Sequence, residues 1–303
     1  MKQFECAIIG GGAAGLNAGL YLGLSLRDTV IFDNGTNRNR ATKKSHGYLT
    51  RDGVTPSEFK SLAIQEIQSY ENVKFVNHSV ENISKLESGK FLIHTENEGR
   101  FEVSKIILSS GIREVFPYNI NVSEFYGKSM YSCPYCDGWE MKNQPLIVIA
   151  ENEDHAVHLG KLVYNWSKDI IITSNGYTVK SSTIELFKQK GIEFIETRIK
   201  KLHGNNGMLE AVEFDSGIVI KRTGGFISSK FNRTNDFAEK LGCEINENNH
   251  IVIDDFGRTS QPNIYVAGEY KNLQSTSLVI SAAEGCKVAT AVNMDLINES
   301  FYV

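Results

Sequence analysis

Hydrophobic positions in this chain fall into short unbroken runs, separated by glycine-rich turns or by helical stretches with one apolar stripe. That is the pattern of strands buried on both faces of a parallel sheet, with helices packed between them. Residues 4–9 read as a strand, 10–12 as a tight turn, 13–26 as a helix and Thr29–Phe32 as a second strand, which makes a βαβ opening. Thr55-Pro56-Ser57-Glu58 starts a further helix: Thr55 suits the N-cap, Pro56 the first turn, and Glu58 closes a capping box. Phe59, Leu62, Ala63, Ile67 and Tyr70 form its apolar face. Short β-rich runs follow at Val73–Val76, Phe91–Thr95 and 105–108, and Ser109-Ser110-Gly111 ends the last one.

After Pro117 the pattern restarts, with a strand at 146–150, a helix at 154–166 and a strand at Ile170–Thr173, a second βαβ unit. Extended segments are expected over 198–228 and a helix over 232–241. Short strands resume near Ile251, followed by Asn263-Ile264-Tyr265-Val266-Ala267-Gly268-Glu269 and a final helix through Asn298. The reading is one domain inserted into another: residues 1–116 and 244–303 form the outer domain and 117–243 the insert.

The opening turn carries chemistry. Gly10, Gly12 and Gly15 make G-x-G-x-x-G between a strand and a helix, and Asp33 ends the next strand. Gly10 allows the tight turn, Gly12 lets a pyrophosphate approach the helix N-terminus, Gly15 permits close helix packing, and Asp33 can accept from ribose hydroxyls. The triplet alone also fits a glycine-rich structural turn; the strand, the helix and the distal acid favour a dinucleotide. The fold class is therefore α/β, two Rossmann-like three-layer domains with the second inserted in the first.

Composition narrows the rest. At 303 residues the chain has room for two domains of ordinary size. A formal charge of -4 with 41% hydrophobic residues offers no electrostatic case for nucleic acid or an anionic membrane. From Cys6 to Leu26 no charge appears, which imitates a membrane span or a signal peptide, but glycines interrupt it and no basic run or cleavage-type site accompanies it. One close cysteine pair plus scattered Cys6, Cys243 and Cys286 fits a reducing cytosol and not a disulfide framework.

That pair sits in Ser132-Cys133-Pro134-Tyr135-Cys136-Asp137-Gly138-Trp139. A C-x-x-C at the start of a helix can hold one thiolate at lowered pKa, and a carboxylate beside it can move protons as thiol and thiolate interconvert. Structural zinc needs four ligands, and no second close pair is present. A static disulfide or inert buried thiols are the remaining readings.

The fingerprint, Ser109-Ser110-Gly111, the Cys-Pro-Tyr-Cys-Asp segment and the run Thr259 to Glu269 together resemble the low-molecular-weight thioredoxin reductase family of flavoproteins over nearly the whole chain. The resemblance implies FAD in the outer domain, with Gly10, Gly12, Ala13, Ala14, Gly15, Asp33, Asn34, Gly111, Gly268 and Glu269 as its binding residues, and a homodimer. It implies that Cys136 faces the flavin, that Cys133 exchanges with a thioredoxin-like protein or small dithiol, and that Asp137 handles protons. The family normally has Asp where this chain has Glu269, so the acceptor is kept and moved by one methylene.

The resemblance also implies NADPH in the insert, and there the loop departs from it. Glu151, Asn152 and Glu153 stand where the family has three glycines, and Thr173-Ser174-Asn175-Gly176-Tyr177 lacks the family's basic cluster for a 2′-phosphate. At an effective dielectric near 20, like charges ~4 Å apart repel by about 4 kcal/mol. A helix N-terminus favours an anion by only ~0.3 to 2 kcal/mol. NADPH is therefore not expected to reduce the flavin in the usual way, the alternative being a pyridine nucleotide held in another pose. The segment Cys133 to Glu140 resembles divergent branches of the family, the ferredoxin-linked reductases and the gliotoxin-type dithiol oxidases that pass electrons to O2. His46 can tune such chemistry near the flavin or simply face solvent. The expected function is an FAD-dependent thiol-disulfide oxidoreductase in the cytoplasm; the alternatives are an O2-dependent dithiol oxidase producing H2O2 and a non-catalytic flavin redox sensor.

Overall fold

The computed structural model describes residues 2–97 and 99–301. Its first unit comprises Met1–Arg40, Gly47–Arg113 and Phe231–Val303, and its second comprises Ala41–His46 and Glu114–Lys230.

The first unit opens with β1 (Lys2–Ile9), α1 (Ala13–Leu24) and β2 (Thr29–Phe32), followed by α2 (Pro56–Ile67), β3 (Val73–Val76), β4 (Val80–Lys85), β5 (Phe91–Thr95) and β6 (Arg100–Leu108). Strand order is β3-β2-β1-β6-β5-β4. Successive side chains of a strand face opposite ways, and β1 shows the sorting. Cys6 and Ile8 pack with α1 residues Leu16 and Leu22 and with Val288 and Val292 from the C-terminal helix. Ala7 and Ile9 face a second cluster with Phe32, Phe91, Phe101 and Tyr270. Helix α1 stops two residues before the expected end because the chain turns left-handed at Leu26 (φ 59°). The N–H groups of Leu26 and Arg27 then donate back to the carbonyls of Gly23 and Leu22, satisfying the helix end. At α2, Thr55 Oγ1 accepts from the Glu58 N–H at 3.2 Å, as expected for its N-cap.

The chain leaves through β7 (Ile112–Val115). The second unit then runs through β8 (Met130–Tyr131), α3 (Pro134–Asp137), β9 (Leu146–Ile149), α4 (Glu153–Val163), β10 (Ile170–Thr173), α5 (Ser181–Lys188) and β11 (Glu193–Ile195). It continues with β12 (Ile199–Asn205), β13 (Met208–Phe214), β14 (Val219–Lys221) and β15 (Gly224–Ile227). Its parallel sheet has the order β11-β10-β9-β15-β8, and β12-β13-β14 form an antiparallel meander. Leu146, Val148, Ile170 and Ile172 face the helices through Ala156, Leu159, Val163 and Phe187. Ile147, Ile149 and Ile171 face the meander through Leu202, Leu209, Val212 and Phe214.

The chain returns through β16 (Lys230–Arg233), which pairs with β7, and completes the first unit with α6 (Phe237–Lys240), β17 (Ile264–Val266) and α7 (Leu278–Phe301). Strand β17 pairs with the last three residues of β6.

Two expectations need correction. Residues 232–241 are not one helix. Thr234 and Asn235 instead bond to the backbone and side chain at Ser110 and Gly111, and only Phe237–Lys240 is helical. Short polar side chains that bind backbone elsewhere compete with helix formation. The insert also ends at Lys230 and not at 243, because Phe237, Ala238 and Cys243 are buried in the core of the first unit. It additionally takes in Ala41–His46. Among the described residues no helix is long and apolar enough to cross a membrane.

Candidate functional site

The turn after β1 is built as the glycine spacing requires. Gly10 has φ 111°, and a Cβ there would lie 2.6 Å from Ser109 O. A Cβ on Gly15 would lie 1.9 Å from Gly10 O, so this glycine sets the close approach of α1 to the strand. At Gly12, the α1 N-cap, a Cβ would meet nothing within 4 Å. No protein atom demands glycine at that position, and the space beside it is open for a ligand to approach the backbone. Gly12 supplies no capping side chain and the first turn of α1 holds no acid, so the N–H groups of the helix start face an open cleft. Such a terminus is suited to a phosphate group.

The cleft is lined by Gly10 to Ala14, Asp33, Asn34, Arg38, Ser109 to Gly111, Thr234, Asn235, Gly268, Glu269 and Thr276. The residues expected to bind FAD thus come together, except Gly15, which packs under the turn and does not line the cleft, and their tasks differ. Ala14 is buried and packs against Gly268 and Gly285, holding α1 to α7. Gly111 and Gly268 take positive φ, 74° and 73°. Asn34 shapes the loop, its Oδ1 accepting from the N–H and hydroxyl of Thr36. Asp33 accepts from the Gly11 N–H at 3.3 Å and is ion-paired with Lys60 of α2. Glu269 is held by Arg38, with Nε to Oε2 at 3.0 Å and Nη2 to Oε1 at 2.7 Å, and accepts from the Thr276 N–H at 2.7 Å. Sequence reasoning missed both cations; the Asn37-Arg38-Asn39-Arg40 run directly after β2 was the available signal for Arg38. The open Gly12 position, the uncapped helix and the acceptors fit an extended diphosphate dinucleotide.

The redox pair lies in the second unit. Cys133 and Cys136 are joined as a disulfide, and Cys133 is the N-cap of α3. The Cys136 N–H points at Cys133 Sγ at 3.2 Å, which would stabilise a thiolate on Cys133 after reduction. Gly138 is required where the helix meets Trp166, since a Cβ would lie 2.4 Å from Pro134 O and 2.8 Å from the indole. Tyr135 and Trp139 beside the pair are exposed; Tyr135 packs edge-on against Trp166 and Lys142 lies over the Trp139 ring. Asp137 is half-buried at the end of α3. Burial, then the charges of Asp137 and Glu140, push the Tyr131 phenol up to about 12. His46 Nε2 lies 2.7 Å from Glu140 Oε1, so its contact is with the redox segment. Burial pushes the Cys6 and Cys243 thiols up, leaving them unreactive packing residues. Among the described residues no cluster of His, Cys, Asp and Glu could hold a metal ion.

The turn after β9 differs from the turn after β1. Asn152 caps α4, its Oδ1 accepting from the His155 N–H at 2.8 Å, and Glu153 and Asp154 fill the first turn. Glu151 Oε1 accepts from Asn175 Nδ2 at 3.0 Å, tying this turn to the one after β10, and Glu153 is bound by Thr183 Oγ1 and Lys180. The hydrogen bond from Thr183, helped by Lys180, holds the Glu153 carboxyl below its ordinary range against the opposing effect of burial. Ser228 Oγ at the end of β15 lies 2.7 Å from His155 Nδ1. Arg198 lies against Gly176, so a cation does reach the loop after β10, from a segment the local sequence did not indicate.

The family model for pyridine nucleotide-disulphide oxidoreductases matches residues 4–285. The chain belongs to this family. Within it, the chain is 27% identical to a probable thioredoxin reductase of Arthroderma benhamiae, over 98% of this chain and 81% of the relative. It is 28% identical to the thioredoxin reductase aclD of Aspergillus oryzae, over 88% of each. The crystal structure of a putative thioredoxin reductase, TrxB, from Bacillus anthracis superposes with a TM-score of 0.96 at 48% identity, covering 98% of this chain and 99% of that one. The chain is thus a flavin disulfide oxidoreductase of thioredoxin reductase type, built from two Rossmann-like domains.

Proposed function

We propose that the protein exchanges electrons between FAD in the cleft after β1 and the Cys133–Cys136 pair, and through Cys133 with a thioredoxin-like protein or a small dithiol, without NADPH as the direct reductant. The observation that carries this reading is the contrast between an open, uncapped helix start at Gly12 and a closed, acid-lined one at Glu151 to Asp154. FAD, when bound, supplies two-electron exchange with a dithiol; Gly10, Gly12, Ala13, Asp33, Gly268 and Glu269 would hold it.

In the reducing direction the Cys133 thiolate attacks a partner disulfide and forms a mixed disulfide, releasing one partner sulfur, which takes a proton. Cys136 then attacks Cys133 Sγ, the second partner thiol leaves and is protonated, and the Cys133–Cys136 bond reforms. Asp137, the half-buried neighbour of Cys136 in the chain, is assigned the delivery and collection of these protons. In this direction reduced ferredoxin would supply the two electrons that reopen the Cys133–Cys136 disulfide by way of the flavin; in the reverse direction a dithiol is oxidised and the electrons go on to O2, giving H2O2. The closed second turn favours such partners because it withholds the diphosphate seat from a nicotinamide carrier. Scattered cysteines support a reducing, cytoplasmic setting, and the half-buried apolar face of α2, where Phe59, Leu62 and Ala63 line a surface groove, supports a homodimer. Anaerobic titration with NADPH, reduced ferredoxin and a dithiol in turn tests the reading, because whichever bleaches the flavin fixes the electron path.

A further inference from the structure

We propose that Arg38 and Glu269 form one functional unit of the dinucleotide cleft, in which Arg38 cancels the carboxylate's charge so that the cleft accepts an anionic diphosphate ligand. This rests on the reading of that cleft as the FAD site. Arg38 enters from the single turn Arg38–Ala41 after β2, and Glu269 from the turn Gly268–Lys271 after β17. The two meet fork to fork through the 3.0 and 2.7 Å contacts, and Arg38 Nη2 also donates to Ser275 Oγ at 2.8 Å. Their side chains are only 19% and 12% exposed, and both line the cleft with Gly10 to Ala14. An ion pair of this geometry is sheltered from salt far more than a surface pair.

The other carboxylate lining the cleft, Asp33, repeats the arrangement through its pair with Lys60. Next to the lining residue Gly268, whose N–H donates to Glu284 Oε2, Glu284 is likewise paired with Lys271. Each acid at this site therefore meets a base from another segment, and the cleft presents acceptors for hydroxyl groups without a net negative field against a diphosphate. Arg38 is thus a positioning residue: it fixes the carboxylate and sets the local charge.

A charge-cancelling role and a mere tether between two loops give opposite patterns. In deflavinated protein, with FAD affinity followed by quenching of flavin fluorescence, Arg38→Gln is expected to weaken binding about tenfold or more at low salt. Glu269→Gln, which keeps an acceptor oxygen for the ligand and removes the charge, is expected to weaken binding by no more than about threefold, and the double variant to bind more tightly than Arg38→Gln alone, since the charge changes cancel. Arg38→Lys, which keeps the charge and loses the fork, should fall between parent and Arg38→Gln. Melting of each flavin-free variant checks folding. If Arg38→Gln and Glu269→Gln weaken binding alike, the pair is only a tether; if neither changes it, the pair has no role; either result overturns the proposal. Parent protein that takes up no FAD would overturn the flavin reading itself, a result distinct from parent binding with the wrong variant pattern.

Discussion

The two strand–turn–helix junctions of this molecule start from the same architecture and end in opposite chemistry. At α1 the N-cap is a glycine with open space beside it and no acid in the first turn; at α4 it is an asparagine that caps its own helix, with Glu153 and Asp154 in the first turn. In the first case the orphan N–H groups and the helix dipole are left for a ligand, and in the second the protein satisfies them itself. A βαβ unit is therefore not a nucleotide site by topology. It becomes one when the sequence leaves its helix start unsatisfied.

The comparison can be broken in order of expected effect. Removing the electron relay should be most severe: Cys133→Ser or Cys136→Ser should lower disulfide exchange at least about 10³-fold, measured as turnover of a dithiol or disulfide substrate. Giving α1 the character of α4 should come next. Gly12→Asp leaves the backbone (φ -81°) in a region Asp adopts and meets no neighbour, so apo stability should hold or rise by about 1 kcal/mol through capping. FAD affinity should nevertheless fall roughly 10²- to 10³-fold, because a carboxylate then faces the diphosphate. Equal loss of stability and affinity would show that Gly12 is structural.

Asp137→Asn should slow exchange about 10²-fold and flatten its pH dependence, since the amide cannot carry a proton. The smallest effect belongs to the closed junction. Its Glu153 carboxyl is held below the ordinary range, so the stability that contact contributes is present above the ordinary carboxylate pKa and is lost as pH falls through the lowered folded value. Glu153→Gln should therefore shift the neutral-pH melting point only slightly and blunt the acid limb of a pH–stability curve. A large drop at neutral pH would contradict a surface contact of this kind.

What the sequence made legible follows from range. The central parallel strands β1, β2, β9 and β10 are visible as apolar runs, the fingerprint glycines as a fixed spacing, and the Cys133–Cys136 pair as a motif, because each is set by neighbouring residues. The Arg38–Glu269 and Asp33–Lys60 pairs join distant segments, so no local pattern gives their partners, even where the run at Arg38 marks a candidate cation. Arg198 reaches Gly176 in the same way. The helix expected over 232–241 fails for a different reason: Thr234 and Asn235 bind Ser110, just after β6, and hold the chain in another path. Short helices and strands such as α5 and β8 were missed because a few residues carry too little periodicity to register.

The central claim is that only one of the two junctions receives a dinucleotide. The measurement that meets it most directly is anaerobic stopped-flow mixing of the FAD-loaded protein with micromolar NADPH, followed at the flavin absorbance band. The account expects no rapid bleaching with NADPH and full bleaching with a dithiol that reduces Cys133–Cys136. Rapid, stoichiometric bleaching by NADPH would show that the turn at Glu151 to Asp154 opens to a nucleotide after all, and would contradict the account.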